Sequence, residues 1–310
     1  MRSLKKVLVT GGSGFLGAWV VRRLLALDIG VRVFDLHDRR DTVAAINGDV
    51  ARALDWRLGD IARADDVRQA MQGCDGVVHL AGVLTPDCSA RPVRGAEINL
   101  IGSLQVFDAA IEQGIGQIVY ASSAGVFGPD DAVHPVPATH YGAFKLAVEG
   151  AARAYWRERQ IASVGFRPFV VYGPGRESGA SAGPSLACRA AARGEPFTIG
   201  MTGACGLVYV DDVAQAFVQA LRTPVQGAPV YNMVGQTASM DEVMAEIRRQ
   251  VPGAQLRAEG PPLTVAEGIT ENGLDDFLPG RQKTPLPQGI AATLQHEGFA
   301  RPQPLRGDTP

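Results

Sequence analysis

Residues Val7 to Gly17 read Val-Leu-Val-Thr-Gly-Gly-Ser-Gly-Phe-Leu-Gly, and no other stretch of the chain restricts the fold as strongly. Val7, Leu8 and Val9 form the continuous apolar run of a strand buried on both faces. Glycines follow at once. Phe15, Leu16, Trp19, Val20, Leu24 and Leu27 then recur at helical spacing, with Arg22 and Arg23 between them. Strand, glycine turn and helix in that order turn unpaired backbone N–H groups and a positive helix end outward, a seat for a pyrophosphate. Gly11 serves the tight turn, Gly14 the approach of backbone to phosphate, and Gly17 the packing of helix on strand. Turns use glycine too, and the chain has 37. The context adds weight: a second apolar run, Val31 to Phe34, ends in Asp35, about 20 residues on, where a carboxylate can accept both ribose hydroxyls of a dinucleotide.

Between Val7 and Tyr120, apolar strands alternate with helical patterns at the spacing of a doubly wound parallel α/β sheet. Strands are predicted at Val7–Thr10, Val31–Asp35, Leu54–Leu58, Gly76–Leu80, Gln117–Ala121 and Ser163–Arg167, with a helix over Pro92–Gln113 that contains Asn99. An Asn in mid-helix is ordinarily solvated, so spacing alone gives Asn99 no role. Beyond Gly173 the texture changes. Arg176–Pro184 is rich in Gly, Ser and Ala, as a mobile loop is, and later elements are short. Val208–Val213 reads as a strand entering a helix capped by Asp211, with further helices at Ala238–Val251 and Leu286–His296 and a loose tail from Arg301. The expected organisation is a dinucleotide-binding domain over residues 1–173, to which 207–232 returns, and a smaller, irregular substrate lobe over 174–310. The cleft between them is the expected substrate site, and there is no internal repeat.

A formal net charge of -2 supplies no basic field for nucleic acid or an anionic membrane. No apolar run reaches the ~18 residues of a membrane span, and the start shows no signal-peptide pattern, so a cytoplasmic protein is expected. Cys74, Cys88, Cys188 and Cys205 are scattered without a C-x-x-C pair and read as free thiols in or near the core. The histidines show no ligand spacing either, and no metal site is expected.

Lysine is rare, and Lys145 is the only one between Lys6 and Lys283. It stands four residues after Tyr141, one turn on along a helix for which Thr139 is the expected N-cap. With 6 Tyr in the chain, roughly 0.08 such Tyr–Lys pairs are expected by chance. A phenol is a weak base at neutral pH, but a neighbouring ammonium and a cationic nicotinamide favour its phenolate. Tyr141 can then take a proton from a substrate hydroxyl or return one to a carbonyl. Ser123, at a strand end, can stabilise the substrate oxygen; the plain alternative for Ser122 and Ser123 is a strand-ending turn.

These segments together resemble the extended short-chain dehydrogenase/reductases, the NAD-dependent epimerase/dehydratase family. Thr10–Gly17 is similar to its T-G-x-x-G-x-x-G loop, Gly59-Asp60-Ile61 to its D-[IVL] step, and Val78–Gly82 to its H-L-A-[AG] segment. Tyr120–Gly128 resembles its serine strand, Tyr141-x-x-x-Lys145 its catalytic helix, and Arg167–Pro174 its segment near the nicotinamide. The resemblance runs from about Lys5 to Phe217. It implies a Rossmann-type domain and catalysis by Ser123, Tyr141 and Lys145. It places against the dinucleotide Gly11, Gly14, Phe15, Leu16, Gly17, Asp35, Asp60, Ile61, Leu80, Ala81, Gly82, Asn99, Tyr141, Lys145, Pro168 and Val171. Leu84, Thr85, Ser123, Phe169 and Arg176 fall on the substrate side. It also implies a homodimer through the helices carrying Asn99 and Tyr141.

Two departures narrow the substrate. Relatives acting on nucleotide sugars usually carry Asn where this chain has Val170, and an Arg-Asp-[FW] run where it has Cys205-Gly206-Leu207. Both changes remove polar groups that would hold a diphosphate, which favours a smaller sugar, sugar acid, polyol or hydroxy acid. Arg176 is a candidate partner for an anionic substrate; a solvated loop arginine is an equal alternative. Asp35 repels a 2′-phosphate and favours NAD over NADP, tempered by Arg39 and Arg40. The expectation is an NAD-dependent oxidoreductase acting on a secondary alcohol or ketone. An NAD-dependent sugar or nucleotide-sugar epimerase and a non-catalytic NAD-binding regulator are the alternatives.

Overall fold

In a computed structural model that describes residues 2–299, Val7, Leu8 and Val9 are all completely buried. Val7 and Val9 join one hydrophobic core and Leu8 another. Successive side chains point to opposite faces of a strand, so this split shows a sheet covered on both sides.

The strands run in chain order as β1 (Lys6–Thr10), β2 (Gly30–Asp35), β3 (Asp55–Leu58), β4 (Gly76–His79), β5 (Gln117–Ala121) and β6 (Ala162–Pro168), then β7 (Val170–Tyr172), β8 (Phe197–Ile199), β9 (Ala204–Tyr209), β10 (Val230–Met233), β11 (Gln236–Ser239) and β12 (Leu256–Ala258). Seven of them form one parallel sheet in the order β10-β6-β5-β4-β1-β2-β3. The order reverses at β1, and the crevice beside such a reversal, at the carboxyl ends of the strands, is where ligands bind in these sheets. The architecture is the expected Rossmann-type doubly wound sheet. On one face the helices Phe15–Leu25 and Val210–Arg222 pack Trp19, Leu24 and Phe217 into the core. On the other, Phe34, Val67, Phe107, Tyr120 and Val148 fill the second core.

The later half carries more regular structure than its broken sequence suggests. β7, β9 and β11 form a three-stranded sheet and β8 and β12 a parallel pair. Around them Tyr172, Ile199, Leu207, Met244 and Ile290 make a separate core. Short strands defeat a periodicity reading because three residues hold barely one repeat of an alternating pattern.

Several element ends differ from expectation for identifiable reasons. Asp211 does not cap the Val210–Arg222 helix. β9 runs straight into it with Tyr209 at the N-cap, and Asp211 in the first turn instead takes a bidentate ion pair from Arg23 (2.6 and 2.7 Å). The helix expected from Ala238 begins at Met240, because Ser239 and Glu242 form a capping box and Ala238 lies in β11. The expected Pro92–Gln113 helix is interrupted by a π turn at Glu97–Ile101, between helices Pro92–Ala96 and Gly102–Glu112. All four cysteines are buried and unpaired. The expected loose tail from Arg301 lies outside the described residues.

Candidate active site

The glycine loop ends where the Phe15–Leu25 helix starts. A Cβ on Gly17 would stand 2.4 Å from the Gly11 carbonyl oxygen, so only glycine lets the helix rest on its own loop. The helix has neither a side-chain cap nor an acidic residue in its first turn. Its leading N–H groups therefore face, without partners, a cavity of about 410 Å³. Asp35, at the end of β2, lines the same cavity, held by N–H donation from Ser13 (3.1 Å) and Leu36 (2.8 Å). A carboxylate keeps lone pairs free beyond those two. An anion seat and a hydroxyl-accepting carboxylate lining one groove fit an adenine dinucleotide.

Asp60, Ile61, Leu80, Ala81 and Gly82 also line this groove. Burial raises the Asp60 carboxyl, but hydrogen bonds from the Ala62 N–H and the Arg94 guanidinium hold it below its ordinary range. Arg39 faces the groove, whereas Arg40 pairs with Asp38 (3.2 Å) and lies over the Trp56 ring (5.3 Å).

A second cavity, of about 500 Å³, shares Gly14, Phe15, Leu16, Arg39 and Gly82 with the first. It brings together Leu84, Thr85, Ser123, Tyr141, Pro168, Phe169, Val171 and Arg176. Of the residues proposed from sequence, only Asn99 and Lys145 line neither cavity. Both are buried just behind the wall. Asn99, in the π turn, is not solvated. Its side chain accepts from the Val83 N–H (3.2 Å) and donates to the Val83 carbonyl (3.0 Å), fixing the loop after β4.

Thr139 caps the Tyr141 helix through the Gly142 N–H (3.1 Å), as its sequence predicts. Gly142 is a residue that spacing did not reveal. A Cβ there would lie 2.0 Å from the Gly125 carbonyl oxygen, so glycine lets this helix meet the Ser123–Gly125 turn. Ser123 caps that turn by accepting from the Gly125 N–H (3.0 Å), so its turn-forming role and its place beside Tyr141 coexist.

Burial pushes the Tyr141 phenol up, and a hydrogen bond with Ser123 and the charge of Arg176 oppose it. Lys145 Nζ lies 5.7 Å from the Tyr141 ring centroid and donates to the Ala121 carbonyl (2.8 Å). Burial pulls this amine down to about 8. In an unfolded chain it titrates near ~10.4, so between the two values the unfolded state binds more protons and stability rises with pH. Relative to Lys145→Met, the wild type is expected to gain at most about 3 kcal/mol between pH 7 and pH 10.5. Parallel urea titrations of both proteins at the two pH values check this, and equal slopes contradict it.

One turn further along the same helix face stands Glu149, which the sequence reading passed over. It is fully buried, accepts from Ser122 Oγ (2.5 Å) and takes both arms of Arg167 (2.8 and 2.6 Å). The spacing 141, 145, 149 was the available signal, since residues four apart share a helix face.

The family model described as "NAD dependent epimerase/dehydratase family" matches residues 7–234. A UDP-glucose 4-epimerase of Azospirillum brasilense is 30% identical over 299 residues, covering 84% of this chain and 83% of that protein. The 3 beta-hydroxysteroid dehydrogenase type 7 of Mus musculus is 32% identical over 190 residues, 55% of this chain; the match spans about half of that relative, 51%. Among solved structures, the UDP-glucose 4-epimerase of Thermus thermophilus, in complex with NAD, superposes with a TM-score of 0.81 at 25% identity, over 95% of this chain and 99% of that one.

Proposed function

Because the chain belongs to the NAD-dependent epimerase/dehydratase family, we propose that it is an NAD-dependent oxidoreductase acting on a secondary alcohol or ketone of a small polyhydroxy compound, with Tyr141 as acid and base. The observation that carries this reading is the shared wall of the two cavities: the Tyr141 phenol and Ser123 together line the chamber that adjoins the glycine-loop groove. The groove residues from Gly11 to Gly17 and Asp35 hold NAD. NAD supplies the hydride acceptor or donor. Tyr141 removes the proton from the substrate hydroxyl in oxidation and returns it in reduction. The Ser123 hydroxyl steadies the oxygen on which charge develops. Lys145, tied to Ala121, keeps a cation behind the phenol. Residues 1–173, with 207–232, serve the dinucleotide and 174–310 the substrate.

A small substrate is favoured by what lines the chamber. Val170 presents a hydrocarbon where a diphosphate needs a polar group, and Cys205 and Leu207 are buried in the core around β7, β9 and β11. The epimerase reading is favoured by the extent of the likeness to the Azospirillum enzyme; in it the same phenol drives a transient oxidation. A homodimer through the helices around Asn99 and Tyr141 belongs to the same proposal, supported by exposed Val93 and Ile101.

The distinguishing experiment supplies NAD with small polyols, sugar acids and hydroxy acids and follows absorbance at 340 nm (the NADH band) together with isomer formation. A dehydrogenase releases NADH in proportion to substrate oxidised, and an epimerase accumulates an isomer without it. Neither signal from any compound, with Tyr141→Phe leaving ligand affinity intact, returns the regulator alternative. Asp35→Ala is expected to weaken NAD binding about ten- to a hundredfold, because charge-assisted hydrogen bonds to the ribose are lost, and to narrow the gap to NADP. Isothermal titration with both dinucleotides checks this, and unchanged selectivity contradicts the placement of Asp35.

A further inference from the structure

Arg176 is not the solvated loop residue that its Gly- and Ser-rich surroundings suggest. It is half-buried, stacks over the Phe15 ring (5.8 Å from the centroid), and donates to the Val171 carbonyl and to Ser181 Oγ (2.9 Å). Both partners are neutral. Other inward-turned arginines of this chain meet carboxylates: Arg23 meets Asp211, Arg32 meets Asp55, Arg167 meets Glu149 and Arg281 meets Asp275. Among the described residues none forms an ion pair with Arg176, although Glu177 follows it and lines the same cavity. A guanidinium partly withdrawn from water without a counter-charge is a favourable seat for an anion. Its remaining N–H donors have no protein acceptor among the described residues, and a guanidinium presents them in a planar fork suited to an oxyacid.

The place of that charge is as informative as its lack of a partner. Arg176 and Tyr141 line one cavity; burial lowers the guanidinium to about 10 and pushes the phenol up, and the attraction between the two opposes both shifts. An anion seated here shares the chamber with the reacting hydroxyl.

We infer that Arg176 receives an anionic oxyacid group of the substrate, a carboxylate or a phosphate monoester, carried within a few bonds of the carbon whose hydroxyl Tyr141 serves. The inference rests on the proposed function and narrows it to hydroxy acids, sugar acids or sugar phosphates over neutral sugars and polyols. Arg39, which lines both cavities, is the cation nearer the dinucleotide groove, so Arg176 is left for the substrate.

The test is calorimetric titration of NAD-saturated protein with matched probes: gluconate against glucitol, glucuronate against glucose, and glucose 6-phosphate against glucose. At least one acidic probe is expected to bind about tenfold or more tightly than its neutral partner. Arg176→Gln is expected to erase that difference, and Arg176→Lys to keep part of it. The carboxylate and phosphate arms tell which oxyacid is accepted. Acidic and neutral probes behaving alike up to tens of millimolar, absence of binding included, overturns the inference. So does an Arg176→Gln protein that discriminates as before, or one that loses NAD affinity instead, which would assign the arginine to the dinucleotide phosphates. Failure of the underlying reading looks different: the wild type would not bind NAD at all, or Tyr141→Phe would turn over a substrate as fast as the wild type.

Discussion

Replacing Tyr141 by Phe is expected to lower kcat by about 10²- to 10⁴-fold, the usual worth of a positioned acid–base group, while NAD affinity changes by no more than about twofold. The substitution deletes one oxygen and keeps the ring, so Lys145 retains its place near that ring and its bond to Ala121. Only the proton carrier is lost. Ser123 supplies no base in its place, because its hydroxyl accepts from the Gly125 N–H and has no basic hydrogen-bond partner among the described residues. Steady-state rates and NAD titrations on the same preparation decide the matter. A Tyr141→Phe enzyme within tenfold of wild type means that another group moves the proton.

Loss of the Glu149 carboxylate is the largest expected effect on stability. In Glu149→Ala, Arg167 keeps its stacking on Phe127 (5.0 Å) and its contact with Asn232 (3.3 Å) but no longer has a counter-charge, and Ser122 loses its acceptor. The side chains are 0% and 12% exposed, so water cannot replace the lost partner. Removing one member of such a pair costs about 3–5 kcal/mol, or roughly 5–10 °C in Tm for a chain of this size. Because the network joins the Tyr141 helix to the end of β5, kcat should fall as well. Replacing both partners, as Glu149→Leu with Arg167→Met, should recover most of the stability, since paired apolar groups of similar volume satisfy the site. Chemical denaturation of the single and double variants separates these terms. Additive losses would show that the two side chains do not act as a pair.

The sheet and the dinucleotide groove are legible in the sequence because both are local. A buried parallel strand is a continuous apolar run, as in Val7–Val9 or Val77–Val78, and the glycine loop and Asp35 sit at fixed distances from it. Tyr141 and Lys145 are legible for the same reason, one helical turn apart. Glu149 and Asn99 are not. A polar residue in mid-helix reads as surface until its partners are known, and those partners, Arg167 on β6 and Val83 after β4, are brought in by the fold. Arg176 is ambiguous in sequence because loop composition gives no burial. Asp211 illustrates the opposite error: an acidic residue at a helix start suggests a cap, while its carboxylate is engaged by Arg23 from another helix. Of the two small sheets only the end of β9 is legible, in the strand read from Val208; β7, β8, β11 and β12 escape notice because three or four residues are too few to show a period.

If one phenol and the glycine-loop groove serve a single bound dinucleotide, a crystal structure of the protein grown with NAD tests that most directly. Density is expected to start with a ribose at Asp35, cross the helix N-terminus at Gly14 to Leu16, and end with the nicotinamide beside the Tyr141 hydroxyl. NAD lodged elsewhere, or a nicotinamide end turned away from Tyr141, would contradict it.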